Sequence, residues 1–137
     1  MELSSRRKTV DVDTGEIRVS SEPAILQSIA LGSCVAVAVY ERNRKIGGLA
    51  HIMLPGKSPT SNGNTKYAED AIEALIDSTK KLGAEITDLE ISIVGGANVL
   101  QEGDIPDKVR ESVLGYLKKL QLRLNCMRVG GIERRSV

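Results

Sequence analysis

The stretch from Ser28 to His51, SIALGSCVAVAVYERNRKIGGLAH, constrains the fold most tightly; it holds the chain's single histidine and one of its two cysteines. Val35, Val37 and Val39 alternate with Cys34, Ala36 and Ala38, and period-2 patterning with β-branched residues marks a strand. KIGGLAHIM supplies a second apolar run, and the polar ERNR between the two predicts an antiparallel hairpin. A loop symmetric about Arg42 and Asn43 puts Cys34 directly opposite His51, with Cβ atoms roughly 4.5–5.5 Å apart. A loop of odd length instead sets Cys34 against Ala50 or Ile52 and turns His51 to the other face, because a one-residue slip reverses every side chain. Whether thiol and imidazole meet is a question of register.

If they meet, they suit nucleophilic catalysis, which needs a thiolate, a base, a group to orient the base, and donors for an oxyanion. Cys34 and His51 supply the first two. The Ser28 hydroxyl, just upstream, is a candidate to accept the second ring N–H of His51. Gly32 allows a tight backbone turn, and the amides around Ser33 and Cys34 are candidate oxyanion donors. The reaction so served is acyl transfer from a carboxamide or ester through a thioester. A packed core thiol and a hydrogen-bonded structural histidine fit the same residues. One His and two distant Cys, with no C-x-x-C, fall short of a zinc ligand set, so no metal and no cofactor is expected.

Around this hairpin the chain reads as follows. Residues 1–13 are polar and predict an extended arm or edge strand. Asp13-Thr14-Gly15 is a turn signal, and residues 16–19 alternate as a short strand. Pro23 interrupts it; the apolar groups 24–26 and 29–31 follow. Residues 56–65, GKSPTSNGNT, form the most loop-like segment, a recognition loop or a plain surface connection. Residues 66–82 predict a helix with Ala68, Ala71, Ile72, Leu75, Ile76 and Leu82 on its apolar stripe and Glu69, Asp70, Glu73 and Lys80 elsewhere. Asn64 or Thr65 is the candidate cap, and Gly83 the terminator. Residues 88–94 predict a strand running into Gly95-Gly96-Ala97-Asn98, which lacks the spacing of a dinucleotide fingerprint. Asp104 and Pro106 open a second helix through Val109, Val113, Leu117 and Leu120. Residues 122–129 predict a last strand, in which Cys126 reads as structural.

With 137 residues and 41% hydrophobic content, a single domain over 1–137 is expected. Strands outnumber helices, so the fold class is α+β, with helices layered on a largely antiparallel sheet. Nineteen basic and eighteen acidic residues, with three Tyr and no Phe or Trp, argue against nucleic acid as a partner. No apolar run approaches the roughly 20 residues of a membrane span, so no direct membrane insertion is expected. SSRRK is followed by polar sequence, not by the apolar core of a signal peptide, which makes the cytoplasm the expected compartment.

GEIRVSSEPAIL, ALGSCVAVAVY, IGGLAHIMLPG, KYAEDAIEALI, VGGANVL and VGGIERRSV together resemble the CheD family of chemoreceptor glutamine deamidases. LGSCVAV and GGLAHIMLP are the most specific blocks, with His51 seventeen positions after Cys34 as in that family. The resemblance implies hydrolysis of glutamine side chains to glutamate on the cytoplasmic domain of methyl-accepting chemotaxis receptors. It also implies binding to a CheC-type phosphatase, and an α/β sandwich similar to toxin-type deamidases, with helices on one side of the sheet. Cys34 matches the family nucleophile and His51 its general base, while Ser28 stands where threonine is usual. Serine keeps the hydroxyl but lacks the β-methyl that restricts χ1. The family usually adds a strand after the GG-x-x-R-R-x-V block, whereas this sequence ends at Val137. Receptor methyl esters, which share the thioester route, are a second implied substrate, and a weakly catalytic binding module is the competing reading.

Overall fold

A computed structural model describes residues 8–22, 24–27, 34–60, 63–95, 105–122 and 124–129, and in these it shows seven strands and two α-helices, five of the strands preceding the first helix. They run β1 (Lys8–Asp11), β2 (Ile17–Ser20), β3 (Ala24–Gln27), β4 (Val35–Glu41), β5 (Ile46–Ile52), α1 (Ala68–Lys81), β6 (Leu89–Gly95), α2 (Ile105–Lys119) and β7 (Leu124–Val129). The main sheet has the order β2-β5-β4-β6-β7, antiparallel except for the β6–β7 pair. β1 and β3 form a separate two-stranded parallel sheet. The class is therefore the expected α+β.

The predicted hairpin is present, but its register differs from the symmetric expectation. Its loop comprises residues 42–45, with Lys45 at φ +56°, so the pairing is Ala36 with His51 and Val35 with Ile52. Glu41 explains the shift of the loop by one residue. Its buried carboxylate accepts hydrogen bonds from the Arg44 backbone N–H (3.0 Å) and the Arg44 guanidinium (2.9 Å), closing the turn around itself. The Glu85 N–H adds a third at 3.4 Å, tying the segment after α1 to the hairpin.

Alternation splits the sheet into two unlike faces. Val35, Val37 and Val39 join Ile46, Ala50, Ile52, Ile91 and Ile93 on one face, packed beneath Ala71, Ile72 and Leu75 of α1 and Val109, Val113 and Leu117 of α2. Both helices therefore lie on one side, as expected. Gly48 lets α1 settle there: a Cβ would stand 2.8 Å from Leu75 Cδ1 and 2.9 Å from Val19 Cγ1. The opposite face carries a small cluster of Val12, Ala36 and Leu49, with Leu26, Cys34, Ala38 and Val94 at its edges. Among the described residues no helix covers that cluster; Val12 and Leu26 reach it from the β1–β3 side.

Several local expectations are corrected. Tyr67 occupies the N-cap of α1 without a side-chain cap bond. Asn64 instead accepts the Lys66 N–H at 3.0 Å through its side chain, forming a turn one step earlier. Leu82 and Leu120, assigned to apolar stripes, are exposed because each lies past the last turn of its helix. Asp70, expected on the solvent side, is buried and receives the Asn64 N–H (2.7 Å) and Ser58 N–H (3.4 Å). With the Gly56 N–H donated to Ser112 Oγ at 2.7 Å, it anchors the loop-like segment to both helices. Gly83 does end α1, at φ +108°. Residues 24–27, which followed Pro23 without an assigned element, form β3, and a single 3-10 turn, Ile86–Asp88, precedes β6.

Candidate active site

The register decides which side chains can meet. Ala36 faces His51 directly, and Cys34 precedes Ala36 by two, so Cys34 and His51 share the helix-free face of the sheet. Cys34 is not directly opposite His51, which corrects the symmetric-loop expectation. The two are diagonal neighbours, a relation of roughly 7–8 Å between backbones that a ring side chain can bridge. The alternative in which His51 turns to the other face is excluded, because the register moved by an even number of residues.

His51 is buried, and its position is set by the turn that follows β1. Its backbone N–H donates to the Glu16 carbonyl (3.0 Å) and its carbonyl accepts from the Gly15 N–H (2.8 Å), prolonging the β2–β5 ladder. Its ring Nδ1 lies 3.0 Å from the Val12 carbonyl. A carbonyl only accepts, so Nδ1 carries the proton, and in the neutral ring Nε2 keeps a free lone pair. The backbone at Val12 thus fixes the tautomer a general base needs.

Burial pushes the Cys34 thiol above its ordinary value of 9.0, and a hydrogen bond with the Thr14 side chain opposes that rise. The uncharged thiol therefore dominates at neutral pH, and such a thiol can serve as a nucleophile only where a base takes its proton. A cleft of about 390 Å³ opens beside His51, lined also by Asp11, Val12, Asp13, Thr14 and Gln27. Asp11 Oδ1 accepts from Gln27 Nε2 at 2.6 Å, joining β1 to β3 along its wall. A larger cavity of about 470 Å³ lies farther along the same face, between β3 and the strands β4 and β5, away from His51.

Of the predicted site residues, Cys34 and His51 are brought together on one face. Ser28, Gly32 and Ser33 lie outside the described residues. Gly95, the last residue of β6, has φ +106° and pairs with Val35, the residue after Cys34. Thr14 was read only as part of a turn, and nothing in its local pattern signals a thiol twenty positions away.

A sequence model of the family described as CheD chemotactic sensory transduction matches residues 53–137. Relatives carry the match across the hairpin. A Thermotoga maritima protein named chemoreceptor glutamine deamidase CheD is 34% identical over 128 residues, covering 92% of this chain and 82% of that protein. The chain belongs to the CheD family. Probable chemoreceptor glutamine deamidases CheD from Methanococcus vannielii and Archaeoglobus fulgidus are 38% and 33% identical, each over 131 residues and 92% of this chain. They are covered over 84% and 83% of their own lengths, so the likeness to these CheD proteins spans the fold and not an isolated motif. Among the described residues, no helix is long and apolar enough to cross a membrane.

Proposed function

We propose that this CheD protein hydrolyses glutamine side chains of chemotaxis receptors to glutamate, with Cys34 as nucleophile and His51 as general base. The observation that carries the reading is the shared face of Cys34 and His51, with Nδ1 of His51 held by the Val12 carbonyl. In the first step Nε2 takes the thiol proton while sulphur attacks the carboxamide carbon. The tetrahedral intermediate collapses to a thioester, and the leaving nitrogen takes the proton back from His51 and departs as ammonia. Water, deprotonated by Nε2, then attacks the thioester carbon, releasing the glutamate carboxylate and restoring the Cys34 thiol. Backbone amides at Ser33 and Cys34, given freedom by Gly32, are the proposed oxyanion donors, and the Ser28 hydroxyl is proposed as a second acceptor sharing the His51 Nδ1–H with the Val12 carbonyl.

The site lies on a rigid sheet beside a cleft open to an extended side chain, which suits a glutamine presented from a receptor's cytoplasmic domain. The same thioester route accommodates a receptor glutamate methyl ester, and the family resemblance adds a CheC-type phosphatase as partner; a cytoplasmic location suits both. The test is peptide mass spectrometry on a cognate receptor cytoplasmic domain, incubated with wild-type protein and with Cys34→Ala. Glutamine-to-glutamate conversion at defined sites with wild type alone is expected. Conversion that survives in Cys34→Ala would overturn the assignment of the nucleophile, and no conversion with either folded protein would leave a receptor-binding module as the reading.

A further inference from the structure

We infer that Asp11 and Asp13 make the cleft beside His51 selective for a carboxamide over a carboxylate, so that the site takes glutamine and rejects the glutamate it makes. The inference rests on the reading of this cleft as the place where a receptor glutamine is hydrolysed. It gives a role to two residues whose sequence pattern marks only a polar arm and a turn.

One run of three residues shapes the recess. The Val12 carbonyl holds His51 Nδ1 at 3.0 Å, and its two neighbours, Asp11 and Asp13, line the same cleft as His51. The run is tied down along its length. Val12 N–H donates to the Gln27 carbonyl at 2.8 Å, Asp13 N–H donates to Glu16 Oε1 at 3.0 Å, and the Asp13 carbonyl accepts the Glu16 N–H at 2.9 Å. The Asp11 carboxylate is itself positioned, because Gln27 Nε2 donates to its Oδ1 at 2.6 Å. The Asp13 carboxylate has no hydrogen bond or ion pair to another described residue, and it is exposed to the cleft. A second observation points to a ligand at the same place. Only 7% of His51 is exposed, yet its Nε2 has no partner among the described residues. Among these residues no sealed-off side-chain nitrogen or oxygen goes unpaired, so Nε2 is reached through the cleft that the two carboxylates line.

The chemistry follows from what each side chain can offer. A glutamine carboxamide is neutral and presents two N–H donors on the nitrogen that departs, and carboxylate oxygens accept them. A glutamate carboxylate only accepts, and its charge has the sign of the rim, so Asp11 and Asp13 repel it. Asp11 and Asp13 are the acidic groups of the lining, and no Lys or Arg is among the residues that line it. Just outside, Glu16 lies 3.3 Å from the Arg18 guanidinium, and the Lys66 stem packs over Gly15. Substrate is thus favoured over product at the base, and a receptor position already converted does not hold the enzyme.

The experiment is isothermal titration of the full chain, as Cys34→Ala so that nothing turns over, with two versions of a cognate receptor cytoplasmic domain. One carries glutamine at the modification sites and the other glutamate. The glutamine version should bind about tenfold more tightly, and adding Asp13→Asn should shrink that ratio about fivefold, the effect of one like charge near 4 Å in water. Asp13→Glu restores the charge and should keep most of the ratio, while salt at about 0.5 M should reduce it. With Cys34 intact, Asp13→Asn should be inhibited more strongly by the glutamate version than wild type is. A ratio unchanged by Asp13→Asn would overturn the proposal. So would equal weakening toward both versions, which would assign Asp13 to a residue flanking the glutamine, and so would the lack of any preference in the parent protein. Should Asp13→Asn fail to fold by circular dichroism, Asp13→Ser is read by the same criteria. Failure of the underlying reading looks different: deamidation persists in Cys34→Ala, while the preference for glutamine and its dependence on Asp13 remain.

Discussion

At the scale of single residues, the division of labour proposed for Cys34 as nucleophile and His51 as base follows from what surrounds each. Burial keeps the thiol protonated at neutral pH, so attack depends on a base. The Val12 carbonyl keeps that base in the tautomer with Nε2 free. His51→Ala should therefore cut kcat by about 10²–10⁴-fold, the range of a lost general base, with a smaller effect on KM. Rate should also recover partly as pH rises toward the thiol's raised value, where Cys34 ionises unaided; a kcat against pH series for the variant and wild type checks both. The pair was legible in the sequence because alternation fixes which residues share a face. Its contact was not, since an even displacement of register preserves the face and moves the neighbour. Thr14 was illegible for a different reason: a turn pattern reports backbone geometry and carries no information on what the turn is placed against.

Elements show the same division between local and non-local signals. Both helices, the hairpin strands and β6 are readable because their apolar periods extend over seven residues or more, and α1 ends at Gly83 as its composition requires. β3 is four residues long and pairs in parallel with β1, sixteen positions earlier, so neither run displays a pattern of its own. Glu41 and Asp70 likewise look like surface carboxylates in sequence, and only tertiary donors account for their burial. For Glu41 this has a consequence in acid. Burial raises its carboxyl, but hydrogen bonds from the Arg44 side chain and from the Arg44 and Glu85 backbones outweigh it, leaving it below the ordinary 4.5. A depressed carboxyl stabilises the fold fully above that ordinary value and loses its contribution as pH falls through the folded value. Thermal melts of wild type should therefore drop steeply as pH falls below 4.5, while Glu41→Gln starts lower and declines less. Parallel Tm-against-pH curves for the two proteins would show that the Arg44 clasp carries no such linkage.

Across the whole molecule, the sheet separates stability from chemistry. Its helix-covered face buries branched aliphatic side chains from five elements, while the buried cluster described on the opposite face is the small one of Val12, Ala36 and Leu49. That asymmetry lets the two properties be perturbed independently. Leu75→Ala, at the fully buried centre of α1, should cost about 2–5 kcal/mol. The loss should lower Tm by on the order of 10 °C. The fraction that remains folded should deamidate at a near wild-type rate, because Leu75 packs on the helix-covered face and Cys34 and His51 lie on the opposite one. Gly15→Ala should behave in the opposite sense. It forces a β-carbon into a left-handed backbone position, costing about 1–2 kcal/mol. It also presses on Lys66, so the turn that carries Thr14 and binds the His51 backbone must shift. Its activity should fall far more than its modest stability loss accounts for. Measuring Tm and the rate per folded molecule for both variants places them on different axes; if both fell on one line, with activity tracking stability alone, the two faces would not be independent and the turn would be an ordinary part of the scaffold.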